Sequence, residues 1–284
     1  MDNAPKISRY MPFIFLAVLV LLMLPVLPDW LKDVYKNENN QHCMAIPFIS
    51  LYIVFLKKDL LTKYLQQDPP QPSAKDILLF LAGILLYFVG TAASIIYFRQ
   101  VSFIIILAGA VWFVYGWGLL KELIFPVSYL LFAVPIPEAA YQAFSSPMKI
   151  FASRIAAHLI RLTGIPVYRE GVNLFFPQTS VEVVDACSGM RSLISLLAVA
   201  AAFAYFFQKK PLGRGVLFLS AIPIAVLSNV IRIALTGIIA HTYGMEYAQG
   251  MLHTMLGTAI VIVIGVSGMF GVQFVMNLLS RTKA

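Results

Sequence analysis

Long runs of apolar residues, each bounded by polar or charged positions, dominate the chain. Six of them are long enough for the about 20 residues that cross a bilayer as a helix. They lie near residues 10–28, 77–98, 101–120, 188–208, 215–240 and 256–279. Two shorter runs, 44–56 and 124–136, are extended by flanking residues and count as further spans. The pattern predicts an all-α polytopic membrane protein with about eight transmembrane helices.

One segment between the predicted spans, 135–186, is long enough to have a structure of its own. Pro135 and Pro137 end the preceding helix. Residues 141–162 then mix apolar and polar side chains, as in a helix that lies in the membrane interface. The stretches 166–174 and 181–184 are typical of a short strand pair. An interfacial helix and a strand pair are therefore predicted on the outer face, before the sixth span.

The composition also indicates a membrane protein. The chain of 284 residues is 60% hydrophobic and only 12% charged, and its mean hydropathy is +0.83. Soluble domains have about 45–50% apolar and about 25% charged residues, so a soluble globular domain is excluded. The net charge is +8, but the cationic side chains are divided among short loops. Nucleic-acid binding, which needs a dense basic surface, is therefore not expected.

The distribution of Lys and Arg predicts the orientation, because short positively charged loops stay on the cytoplasmic side. With a cytoplasmic N-terminus, 12 of the 21 Lys and Arg residues lie inside and seven outside. The other two, Arg191 and Arg232, lie within predicted spans. The expected protein is a multi-pass protein of the plasma (inner) membrane with both termini in the cytoplasm.

Three short motifs in the apolar C-terminal third carry reactive side chains. They are Asp185-Ala186-Cys187-Ser188-Gly189, Asn229-Val230-Ile231-Arg232 and His253-Thr254-Met255-Leu256-Gly257. In the predicted topology the sixth span begins outside at Cys187, and the seventh carries Arg232 in its outer half. The eighth span re-enters the membrane just after His253. All three side chains are therefore expected near the outer membrane face.

Cys187 has the features of a nucleophile. If Asp185 caps the sixth helix, Cys187 lies in its first turn, where the helix dipole and unpaired N–H groups favour the thiolate. Arg191, four residues after Cys187, adds positive charge on the same helical face. The alternative is that Cys187 is a small buried hydrophobic residue and Asp185 only a cap.

Arg232 and His253 complete the candidate set. A guanidinium inside a span costs about 2.5–3.5 kcal/mol on insertion scales, so such residues usually line a polar cavity. Asn229, three residues earlier, shares the helical face of Arg232 and is able to hold its guanidinium or a substrate carbonyl. The alternative is that Arg232 extends to the interface. Gly257, four residues after His253, is expected to leave space above the imidazole.

Together the three motifs resemble the exosortase/archaeosortase family of membrane-embedded cysteine transpeptidase-like proteases. The resemblance also includes Phe132-Ala133-Val134-Pro135-Ile136-Pro137 and Gly164-Ile165-Pro166-Val167. It covers roughly 124–257 by motif and the earlier spans by hydropathy alone. It implies a single integral-membrane exosortase-like domain over 1–284, with a catalytic part at about 124–260.

The resemblance implies a catalytic set of Cys187, Arg232 and His253. His253, where archaeal members often have arginine, favours the bacterial exosortases. In this interpretation His253 is the base, Cys187 forms a thioester and Arg232 stabilises the oxyanion. Asp185, where many relatives have glutamate, is a supporting residue, and Ser188, Arg191 and Asn229 are the others.

The family also implies a class of substrates. Exosortases are thought to process secreted proteins with a C-terminal tripartite sorting signal of the PEP-CTERM type. This signal consists of a short motif such as Pro-Glu-Pro, a transmembrane helix and a basic tail. The expected partners are such proteins, the lipid bilayer and components of envelope or exopolysaccharide assembly. The active site is expected to face the outside or periplasm.

Three other functions stay open at this point. An intramembrane serine protease would use Ser188, although Ala186 replaces the first glycine of the rhomboid motif. A transporter of an anionic solute would use Arg232, and a non-catalytic assembly subunit would use none of the three residues. No cofactor or metal site is predicted, because the histidines are scattered and no Cys-x-x-Cys or His-x-x-x-His spacing occurs. Cys43 and Cys187 are expected to stay unpaired.

Overall fold

The computed structural model describes residues 17–66, 73, 75–183, 189–248 and 251–281, with the backbone alone at 65, 251–254, 256, 280 and 281. The chain forms two compact units, Met1–Pro137 and Glu138–Ala284. Both are mostly helical in their described parts.

In the first unit, residues 17–23 are helical. Five α-helices follow in the described residues, namely α1 (Leu27–Lys36), α2 (Ala45–Leu56), α3 (Lys58–Gln66), α4 (Ile77–Ala92) and α5 (Ile96–Tyr129). Helices α4 and α5 pack closely because glycine removes side-chain bulk where they meet. A Cβ atom added to Gly109 would lie 2.4 Å from the backbone nitrogen of Phe80. Small residues at such positions are the usual means of close helix packing in membranes.

Four helices in the described residues are long and apolar enough to cross a membrane, which confirms a mostly helical protein with several candidate spans. They are Ile96–Ala133, Met190–Phe207, Pro211–Tyr243 and Gly257–Leu279. The predicted count of eight is not reproduced, since the runs 101–120 and 124–136 form one helical element. Gly116 interrupts this element with non-helical backbone angles, φ 81° and ψ 171°.

Two predicted spans are short helices in the structure. Helix α2 has 12 residues and α4 has 16. At a rise of 1.5 Å per residue they extend for about 18 Å and about 24 Å, less than the about 30 Å of a hydrocarbon core. The run 10–28 lies partly outside the described residues.

A lysine replaces a hydrogen bond that proline removes from α5. Pro126 lies inside this helix and has no N–H group to donate to the carbonyl oxygen of Glu122, four residues earlier. Lys57 Nζ donates to that oxygen at 2.6 Å and pairs with the Glu122 carboxylate at 3.0 Å. This basic residue therefore has a structural role in the first unit.

Cys43 is buried before α2 and has no exposed surface. Its Sγ lies 3.7 Å from His42 Nε2. Burial raises the pKa of the Cys43 thiol to about 12, and the nearby Asp33 carboxylate adds to the shift. Both effects disfavour the thiolate, which is the reactive form.

We therefore expect Cys43 to resist alkylation in the folded protein. At neutral pH a pKa of about 12 lowers its thiolate fraction about 10³-fold relative to an ordinary thiol. The measurement is mass-spectrometric labelling with N-ethylmaleimide of the Cys187→Ala variant, in which Cys43 is the remaining thiol of the two in the chain. The same protein unfolded in detergent is the control, and rapid labelling of the folded protein would contradict the expectation.

The described residues of the second unit form five helices and a small sheet. The helices are α6 (Glu138–Leu162), α7 (Met190–Phe207), α8 (Pro211–Tyr243) and α10 (Met251–Arg281), with the short helix α9 (Met245–Ala248) before the last. Helix α8 is central, since it contacts α6, α7, α9 and α10. Its contacts with α6 are close because alanines line the interface; Ala152, Ala156 and Ala157 are all buried.

The predicted strand pair is a three-stranded antiparallel sheet of β1 (Tyr168–Glu170), β2 (Asn173–Phe175) and β3 (Ser180–Glu182). The stretch 166–174 does not form one strand, because the chain reverses at Gly171. This glycine has a φ of +58°, which suits the first position of a two-residue hairpin turn. Leu174 and Val181 point into the core, so the sheet packs with α6 and α8.

Candidate active site

Helix α8 positions Asn229 and Arg232 one turn apart, as the Asn-x-x-Arg spacing predicts. Asn229 is 1% exposed and lies directly against the glycine of the first motif. A Cβ atom added to Gly189 would lie 2.7 Å from Asn229 Cγ and 2.8 Å from Nδ2. The first and second motifs are therefore in van der Waals contact.

Arg232 is half-buried and lies against the glycine of the third motif. A Cβ atom added to Gly257 would lie 2.8 Å from Arg232 Cδ and 3.4 Å from Nη1. Any larger residue at position 257 would displace the arginine side chain. The space that this glycine leaves is thus used by Arg232, whereas the sequence predicted space for the imidazole of His253.

The structure describes Arg232 in full, His253 by its backbone alone, and Cys187 not at all. Asp185, Cys187 and Ser188 lie outside the described residues. The backbone of His253 lies in the first turn of α10, four residues and about 6 Å along the axis from Gly257. Covalent geometry keeps the Cα of Cys187 within about 7 Å of the Cα of Gly189. Both residues are thus joined by short pieces of chain to the two glycines that contact α8.

The start of α7 differs from the prediction. The helix begins at Met190, and its N-cap is Gly189 with a left-handed φ of +80°. Cys187, predicted in the first turn of this helix, lies outside the described residues, three positions before Met190. Arg191 lies in the first turn of α7 and is half-buried. Gly189 marks the N-terminal end of α7, because its left-handed backbone is not helical and few residues other than glycine adopt it.

Two cavities flank the Asn229–Arg232 face of α8. One, of about 210 Å³, lies between α8, α9 and α10. It is lined by Arg232, Leu235, Thr236, Ile239, Tyr247, Ala248, Gly257 and Ile260. The other, also about 210 Å³, lies between α6 and α8 and is lined by Pro147, Met148, Phe151, Ala152, Val226 and Asn229. Each cavity is mostly apolar and has one of the two motif residues in its wall.

Sequence reasoning missed the lining residues Thr236 and Tyr247. Thr236 follows Arg232 by four residues, so helical spacing alone places it on the same face. Tyr247 belongs to α9, and only the packed structure brings it to the cavity. Within the described ranges, no group of three or more His, Cys, Asp or Glu side chains is arranged to hold a metal ion.

Comparison with known proteins identifies the family. No curated protein and no solved structure is significantly similar to the chain. Residues 30–270 match the family model described as transmembrane exosortase (Exosortase_EpsH). This match includes all three motifs and most of the chain, as expected from the sequence resemblance. The chain therefore belongs to the transmembrane exosortase family.

Proposed function

We propose that this exosortase is a cysteine peptidase or transpeptidase that removes the C-terminal tripartite sorting signal of secreted proteins. One observation carries the proposal, namely the contacts of Gly189 with Asn229 and of Gly257 with Arg232. These two contacts support the proposal that the three motifs form one site. We further propose that this site faces the outside of the plasma (inner) membrane.

The proposed reaction is an acyl transfer through a thioester. His253 accepts the proton of Cys187, and the thiolate attacks the carbonyl carbon of the scissile peptide bond. The protonated His253 then gives its proton to the leaving amine as the C–N bond breaks. The acyl group stays on Cys187 until water, or an amine or hydroxyl group of an envelope component, attacks the thioester.

Arg232 is the proposed oxyanion donor. Donors aimed at a developing oxyanion typically contribute about 2.7–4 kcal/mol each. Arg232 is half-buried in an apolar helix. The low dielectric of these surroundings strengthens the attraction between its guanidinium and an oxyanion. Its contact with Gly257 limits the movement of the side chain. This arrangement supports a preorganised guanidinium.

Asn229 is the proposed positioning residue for the chain segment before α7. Its side chain is buried against Gly189, which is two residues from the nucleophile. Asp185 and Ser188, which flank Cys187, and Arg191 in the first turn of α7 stay proposed supporting residues.

The test is processing of a co-expressed reporter with a tripartite tail. Wild type is expected to remove the tail and Ser188→Ala to remove it at a reduced rate, whereas Cys187→Ala is expected to leave it intact. Gel shift measures tail loss, and mass spectrometry detects a trapped thioester. Cys43→Ala is the matched control, since it removes the other cysteine.

Two outcomes would favour other functions. Tail loss in Cys187→Ala would contradict the thioester mechanism, and its abolition by Ser188→Ala alone would favour a serine protease. Membrane uptake of an anionic solute that depends on Arg232 and tolerates Cys187→Ala would favour a transporter.

A further inference from the structure

An open groove of about 500 Å³ lies where the C-terminal end of α6 meets the sheet. It is lined by Arg161, Pro166, Val167, Tyr168, Phe175, Phe176 and Pro177. None of these residues belongs to the three motifs. The groove is therefore separate from the cavities beside Asn229 and Arg232.

Paired aromatic rings form one wall of the groove. Tyr168 and Phe175 are opposite each other in the β1–β2 register, with ring centroids 6.2 Å apart. They are 64% and 39% exposed, although large aromatic side chains are usually buried. Grooves lined by aromatic rings bind proline-containing segments, because these segments are already extended and lose little entropy on binding.

Among the described residues, Arg161 is the one cation that lines the groove. Arg161 Nε donates to the carbonyl oxygen of Val167 at 3.0 Å, which holds the guanidinium at the rim. In the part of the chain that the structure describes, no carboxylate lies within 4.0 Å of Arg161. Its outer N–H groups are thus available for a carboxylate, which arginine binds in a bidentate manner.

The opposite end of the sheet has the opposite charge. Side chains two residues apart along a strand share one face, so Glu170 lies on the same face as Tyr168. Asn173 pairs with both Glu170 and Glu182, so Glu182 lies on this face as well. Both glutamates are exposed. Arg169 also reaches this end, where its Nη1 donates to the carbonyl oxygen of Gly171, so one arginine lies near the two glutamates. The Arg161 end is therefore the more favourable one for an acidic ligand.

The groove is close to the candidate active site along the chain. Ser180 of β3, which pairs with Phe175 of the groove, precedes Cys187 by seven residues, a distance of at most about 25 Å. Phe176 stacks on His241 of α8 with centroids 5.8 Å apart and lies against Gly237. Arg232 precedes Gly237 by five residues, about 8 Å along the helix axis. An extended segment of about six residues spans about 20 Å, more than the about 8 Å along α8 between Gly237 and Arg232.

We propose that this groove binds an extended, proline-containing acidic segment of the substrate, the extramembrane part of the sorting signal that precedes its transmembrane helix. Arg161 pairs with the carboxylate, and Tyr168 and Phe175 stack on the flanking prolines. The inference rests on the proposed function, since it names the substrate segment that the same enzyme recognises.

Charge reversal tests the pairing. Arg161→Glu is expected to slow processing of a reporter with a Pro-Glu-Pro segment by about tenfold or more. A reporter with Pro-Lys-Pro is expected to restore the rate in this variant and to be a poor substrate of the wild type. Arg154→Glu, at another exposed arginine of α6, is the matched control and is expected to keep the wild-type preference. Equal rates for Arg161→Glu and Arg154→Glu on both reporters would overturn the proposal.

Photo-crosslinking separates binding from cleavage. In the Cys187→Ala background, benzoyl-phenylalanine in place of Tyr168 is expected to capture the reporter segment. A crosslink to lipid instead, while the otherwise wild-type protein processes the reporter, would make the groove a membrane contact and overturn the proposal without affecting the proposed function. Tail loss in Cys187→Ala together with a crosslink to the segment would remove the thioester mechanism and keep the groove.

Discussion

Replacing Arg232 by methionine is expected to slow tail removal by about 10²–10³-fold, while the protein still accumulates in the membrane. Methionine keeps the length and apolar stem of the side chain but removes the charge that stabilises the oxyanion. Insertion is not expected to suffer, because an arginine inside a span is costly by about 2.5–3.5 kcal/mol. The measurements are the reporter cleavage rate and the amount of protein in isolated membranes.

Matched variants separate this effect from a general loss of structure. Arg214→Met makes the same change at the exposed start of the same helix and is expected to leave the cleavage rate unchanged. Gly257→Ala keeps the charge but places a Cβ atom 2.8 Å from Arg232 Cδ, so it is expected to slow cleavage by displacing the guanidinium. Gly271→Ala is the control for the added methyl group, because Gly271 lies on α10 like Gly257 but has open space where the Cβ atom would be. Full activity of Arg232→Met would remove this residue from the mechanism.

Gly189→Ala is expected to lower both stability and activity. The left-handed backbone at φ +80° costs an alanine about 1–2 kcal/mol. The added Cβ atom would also lie 2.7 Å from Asn229 Cγ, and such overpacking typically costs about 1–3 kcal/mol more. Because Gly189 is two residues from Cys187, the displacement is expected to slow cleavage at least about tenfold. Thermal unfolding in detergent and the reporter cleavage rate are the two measurements.

Gly164→Ala provides the control for backbone strain. Gly164 has nearly the same φ, +83°, but no atom lies within 4 Å of an added Cβ. This variant is expected to share the backbone cost and to keep its cleavage rate. If both variants lose stability and activity equally, the contact between Gly189 and Asn229 has no separate role.

Helix positions followed well from the sequence because lipid imposes one demand on every span. Backbone groups in the bilayer must bond within the helix, so each span shows as a long apolar run. The predicted runs 188–208 and 215–240 correspond to α7 (Met190–Phe207) and α8 (Pro211–Tyr243). The boundary between 101–120 and 124–136 did not correspond to the end of a helix. Charged residues near position 121 interrupt the apolar run, whereas the backbone breaks at Gly116.

Shorter elements were less predictable, since turns and caps depend on single residues. The third strand was missed because the reversal at Gly171 lies inside an apolar alternation that continues on both sides. The cap of α7 was also not predicted, because Asp185 is a common cap type, whereas the described helix has the left-handed Gly189 as its N-cap. Gly171 has a positive φ because it opens a tight hairpin turn, with no atom within 4 Å of an added Cβ, whereas Gly189 lies directly against Asn229.

The sequence by itself determined the membrane environment, the approximate spans, the family and the three motifs, because composition, apolar run length and motif spacing are properties of the chain. Only the tertiary structure decided which atoms the motifs bring into contact. Gly189 is 40 positions before Asn229 and Gly257 is 25 after Arg232, so no helical period relates them. Their contacts exist because α8 packs between α7 and α10 and glycine alone fits at both points of contact. The aromatic groove likewise depends on strand register, which pairs Tyr168 with Phe175 on the outer face of a sheet whose other face is buried in the core.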